Sequence, residues 1–148
     1  MDLDLQKKKE LFEKEVNKLI GDFSRKKKEY FAKYKKLCWA IVIANAGVSF
    51  SLGISFIEKF AIQFKVIALF FSSILLILNG AMGFLNYKNA YEQRTKTLVR
   101  LLALRRESKL IIDNELTEDN LKKLIDKLEL IMQDDLTQWT ENIPQEDN

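Results

Sequence analysis

The sequence predicts an all-α membrane protein, a two-span transmembrane helical hairpin with long amphipathic cytoplasmic helices. Three observations predict it. Residues 37–57 and 66–87 are two runs of 21 and 22 residues without a charge, and about 20 apolar residues are enough for a helix to cross roughly 30 Å of hydrocarbon. Outside those runs, apolar side chains recur at threes, fours and sevens with charges between them, the period of a helix with one buried side. Charge is also partitioned by region. Residues 1–36 carry 12 Lys and Arg against 7 acids, residues 88–112 carry 7 against 2, and residues 113–148 carry 3 against 11. The overall +3 thus hides two basic blocks and an acidic C-terminal region.

Residues 1–36 form the first element, a juxtamembrane amphipathic helix. Leu5, Phe12, Val16, Leu19, Phe23, Tyr30 and Tyr34 mark its apolar side. Its opening, MDLDLQKKKELFEKE, lacks the early apolar segment of a cleaved signal. The cluster Arg25, Lys26, Lys27, Lys28 reads as a topology anchor, with contact to anionic lipid as a further use.

The first span follows at 37–57, then a short external connector at 58–65 and the second span at 66–87. A soluble chain of 148 residues offers too little protein to bury both runs. Eleven basic residues flank the outer ends of the spans, among them Lys26, Lys27, Lys28, Lys35, Lys36, Lys88 and Arg94, against only Lys59 and Lys65 in the connector. This bias places both termini in the cytoplasm. Eight residues suffice for a tight connection and not for an external domain. Tyr30, Tyr34, Trp39, Phe60, Phe64 and Tyr87 fall near the expected interfaces.

Each span carries a narrow polar stripe at helical spacing. Asn45, Ser49 and Gly53 form one; Ser72, Asn79, Gly83 and Asn86 form the other, with Ser73 and Gly80 beside them. Asn79-Gly80 is a turn dipeptide elsewhere, but a lipid-exposed turn leaves backbone groups unpaired, so the helix is expected to continue through it. Two readings of the stripes stay open. Small and polar residues let helices pack closely, for about 1 kcal/mol or less per hydrogen bond; alternatively, several copies assemble around a wet polar face. Both expect self-association, since two helices enclose no conducting path.

Residues 88–143 read as a cytoplasmic helical hairpin and 144–148 as a tail. The helix of the second span is expected to run on, with Tyr91, Leu98, Leu101, Leu102, Ser108, Ile111 and Ile112 on its apolar side. A turn at DNELTEDN precedes Thr117, an N-cap for a last helix bearing Leu121, Leu124, Leu128, Ile131, Met132 and Trp139. That acidic helix is expected to fold back on the basic one, giving a three-helix bundle or an oligomeric coiled-coil stalk. Asp134 and Asp135 are placed on its solvated side.

The chain has no His, and Cys38 is its single cysteine, read as a small hydrophobe. Glycine-rich phosphate loops, nucleophile–base pairs and metal-ligand spacings are missing. The expectation is no enzyme, no cofactor and no direct nucleic-acid binding.

The segments YFAKYKKLCWAIVIANAG at 30–47, NYKNAYEQRTKTLVRLLALRRE at 86–107 and LELIMQDDLTQW at 128–139, set in this layout, resemble the SLATT family of bacterial two-span effectors. The resemblance extends over almost the whole chain and brings no catalytic residues. It implies a membrane effector of antiphage defence in the bacterial inner membrane. Such a protein oligomerises or opens and permeabilises the membrane when a cyclic-oligonucleotide synthase, a retron-like module or another sensor triggers it. A non-conducting coiled-coil scaffold anchored by its spans, and a holin-like protein, are the alternatives.

Overall fold

The computed structural model describes residues 3–54, 61–111 and 117–141, and the described residues are all helical but for short breaks. Four helices follow in order: α1 (Leu3–Ile54), α2 (Ala61–Leu85), α3 (Tyr87–Leu110) and α4 (Glu118–Glu141). Residues 55–60, which include the end of the first predicted span, and the tail at 144–148 lie outside the described residues.

Two compact units divide the chain. One comprises residues 1–29 with 89–148; the other is Tyr30–Lys88. The first is a three-helix unit of the N-terminal part of α1 with α3 and α4. Phe12, Val16 and Phe23 of α1 meet Leu101 and Leu104 of α3 and Leu121, Leu124 and Leu128 of α4 in one cluster. Each fully buried Leu, Val or Phe contributes roughly 1.5–3 kcal/mol. Thr117 caps α4, accepting from the Asn120 amide at 3.2 Å through its hydroxyl, and Glu118 and Asp119 add favourable charge to the first turn. Just past the C-terminal end of α3, the Lys9 ammonium donates to the Ile111 carbonyl at 2.9 Å, satisfying a group that the helix end leaves unpaired.

The second unit is a hairpin of the C-terminal part of α1 with α2. Tyr30 lies against Tyr87, the first residue of α3 just beyond the end of α2, their ring centroids 6.5 Å apart, and Gly47 lies against Phe71 of α2. These two contacts fix the helices as antiparallel. The apolar stretches of α1 and α2 are each long enough to span a membrane. Only 11% and 6% of their most apolar windows are buried, unlike the core helix of a soluble domain.

α2 begins at Ala61, so residues 61–65 of the predicted connector are already helical. The helix of the second span does not run on unbroken, because Asn86 takes a left-handed φ of 45° and separates α2 from α3. Asn is the residue after Gly that best tolerates this region and serves in helix C-caps. Asn86, predicted on the polar stripe, thus stands at the break between the two helices.

Candidate functional site: the exposed polar face of the hairpin

The seam of the hairpin is built from small residues. Ala44 and Ser51 of α1 and Ala68 of α2 are its buried members. A Cβ added to Gly47 would stand 2.9 Å from the Cγ, Cδ1 and Cε1 atoms of Phe71, so the ring sits where any side chain at 47 would be. Ala44, Gly47 and Ser51 recur at spacings of three and four, the small-residue pattern that lets helices approach closely in lipid. That pattern was readable in the sequence, but the more polar stripe beside it drew the assignment.

The predicted stripes lie elsewhere. Asn45, Ser49, Gly53, Ser72, Asn79 and Gly83 are all exposed, and Asn86 is half-buried at its helix break. α2 does continue through Asn79 and Gly80. Packing within the hairpin therefore leaves these residues unexplained. Nothing comes within 4 Å of a Cβ added to Gly53, Gly80 or Gly83, so their smallness serves no contact among the described residues.

The two stripes share a side of the hairpin. Asn45 follows buried Ala44, and Ser49 follows half-buried Val48; Ser72, Asn79 and Gly83 follow half-buried Phe71, Leu78 and Met82. One residue is about 100° of rotation. Seen from one end, that step turns clockwise in one helix and anticlockwise in its antiparallel neighbour. Both start from the facing seam, so both arrive on the same side. The result is a two-helix face of amide, hydroxyl and glycine groups. No Asp, Glu, Lys or Arg occurs within either predicted span.

The predicted topology anchors separate into two kinds. Lys26, Lys28, Lys35, Lys36 and Lys88 are exposed, and the Lys27 ammonium stands 5.7 Å from the centre of the Tyr91 ring. Arg94 does not lie at the surface. Its side chain is only 10% exposed and pairs with Asp135 at 2.5 Å. Its guanidinium lies between the rings of Phe23 and Trp139, at 5.0 and 4.8 Å.

Asp135 is likewise buried rather than solvated. Besides Arg94 it accepts from the Thr97 hydroxyl at 2.7 Å, and its carbonyl accepts from the Gln93 amide at 2.7 Å. The spacing held the signal. Asp135 continues the apolar series Leu121, Leu124, Leu128, Ile131, and Arg94 stands in the series Tyr91, Leu98, Leu101. Asp134 is half-exposed and pairs with Arg100 at 2.6 Å, and Lys127 pairs with Glu107. With Arg94–Asp135, these contacts hold the acidic α4 on the basic α3.

Among the described residues no group of His, Cys, Asp and Glu is arranged to hold a metal ion. The class that fold and site define is an all-helical protein with two helices long and apolar enough to cross a membrane and a polar face on the hairpin they form. No protein-family model, curated protein or solved structure matches the chain.

Proposed function

We propose that the chain is an oligomeric, membrane-permeabilising effector of the bacterial inner membrane, with both termini cytoplasmic, acting in antiphage defence. The observation that carries this reading is the exposed polar face of Asn45, Ser49, Ser72 and Asn79, with glycines that no contact among the described residues uses. In hydrocarbon, exposed amides and hydroxyls are costly unless they meet a partner or water. Copies that assemble with these faces together supply both, and a ring of them encloses a polar path. The antiphage role rests on the resemblance to the SLATT family. A cyclic-oligonucleotide synthase, retron-like module or other sensor encoded nearby would supply the trigger, and the three-helix unit is the part available to receive it.

Ion flux from liposomes carrying the full chain tests the reading. Asn79→Leu is expected to lower flux at least about tenfold while leaving the amount of inserted protein unchanged. Flux equal to the parent's counts against a wet face, and absence of flux in every oligomeric state sinks the pore. The anchored scaffold has its own supporting observation: Val99, Leu110, Ile125, Leu130 and Leu136 are exposed on α3 and α4, a surface for coiled-coil partners. Full function with Leu at both 45 and 79 would favour it.

A further inference from the structure

Along α1, a change of chemistry coincides with a notch in the helix surface. Ala32, Lys35, Lys36, Trp39, Ala40 and Ile43 line a space of about 450 Å³. Ala32 and Ala40 are the small residues that open it between the longer neighbours. Lys35 and Lys36 are exposed, and Trp39 and Ile43 present 58% and 64% of their surface. From Lys36 to Ile43 is seven residues, about 10 Å of helix rise. Over that distance the surface passes from two ammonium groups, through an indole, to aliphatic carbon. A phospholipid presents the complementary order in the same direction: phosphate, glycerol ester, acyl chain. The residues that line the notch include two lysines and no acid.

We propose that this notch is a binding site for an anionic phospholipid, with its phosphate between Lys35 and Lys36, its ester region against the Trp39 ring and an acyl chain along Ala40 and Ile43. The site rests on the reading that α1 spans a membrane, because only then do these residues stand at headgroup depth. Its two lysines go beyond a topology role. They select lipid by charge, where the positive-inside bias needs only their sign.

The chain contains two tryptophans, so Trp139→Phe leaves Trp39 as the sole indole and keeps an aromatic ring beside Arg94. The full-length variant is reconstituted in phosphatidylcholine vesicles containing phosphatidylglycerol, with one lipid or the other brominated on its acyl chains. At equal mole fraction, brominated phosphatidylglycerol is expected to quench Trp39 roughly twofold or more beyond brominated phosphatidylcholine. Lys35→Gln with Lys36→Gln removes that excess and leaves quenching by phosphatidylcholine unchanged. Lys26→Gln with Lys28→Gln, which removes the same charge outside the notch, preserves it. Equal quenching by both lipids, or an excess that the two double variants reduce alike, overturns the site and leaves the spanning reading standing. Quenching by neither lipid overturns both.

Discussion

Among the described residues, the buried apolar side chains of the three-helix unit are Phe12, Val16, Phe23 and five leucines; the buried residues of the hairpin are Ala44, Ser51 and Ala68. The hairpin's large apolar residues, such as Phe50, Leu69, Phe70 and Ile77, are exposed. The three-helix unit thus has the pattern that water imposes, with apolar bulk inside and charges outside. The hairpin has the pattern expected in lipid, where burying bulk gains little and close approach of small residues holds helices together. Polar groups reverse in the same way. The three-helix unit buries a charged pair and surrounds it with partners, whereas the hairpin leaves its amides and hydroxyls on an open face. The two units are thus set apart by what each buries, apolar bulk in the one and small residues in the other.

Breaking the buried pair has the largest expected effect. Asp135→Ala leaves the Arg94 guanidinium enclosed without its counter-charge and is expected to destabilise the three-helix unit by about 3–5 kcal/mol. Chemical denaturation of the solubilised full chain carrying Trp39→Phe, followed by the fluorescence of the remaining Trp139, measures it; a loss under about 1 kcal/mol would show that the cation–π stack alone suffices. In the hairpin the sensitive position is one with no side chain at all. Gly47→Leu must displace the Phe71 ring and is expected to cost about 1–3 kcal/mol. The same change at Gly83, which meets nothing within 4 Å among the described residues, leaves hairpin stability unchanged. Equal effects at the two positions would erase the distinction between seam and open face.

Asn86 sits where the helices of the second half meet. Asn86→Gly is expected to be neutral there, while Asn86→Leu places a bulky residue at positive φ for about 1–2 kcal/mol. Thermal unfolding by circular dichroism separates the two. The smallest effect belongs to Lys8. The hydrogen bond to Asp4 and its charge, then those of Glu118, hold its ammonium above the ordinary 10.5. Because the folded value is raised, the contribution is complete below pH 10.5 and is lost as pH climbs through the higher folded value. Lys8→Met is nonetheless expected to leave the thermal midpoint at pH 7 unchanged, since both pairs are solvated.

Helical periodicity and charge by themselves determined the helical character, the two apolar stretches, the apolar stripes of Phe12–Phe23, Leu98–Ile111 and Leu121–Met132, and the attraction between α4 and α3. These are local properties, carried by spacing and composition. Tertiary structure alone decided which face of each hairpin helix is used. Periodicity shows that Ala44, Gly47 and Ser51 share one side and Asn45, Ser49 and Gly53 another, but only the partner helix selects between them. It selected the seam in which Phe71 fits over a glycine. The same holds for Arg94 and Asp135. Each looks like a solvated charge in isolation, and only the meeting of two residues 41 positions apart supplies the counter-charge and hydrogen bonds that make their burial tolerable.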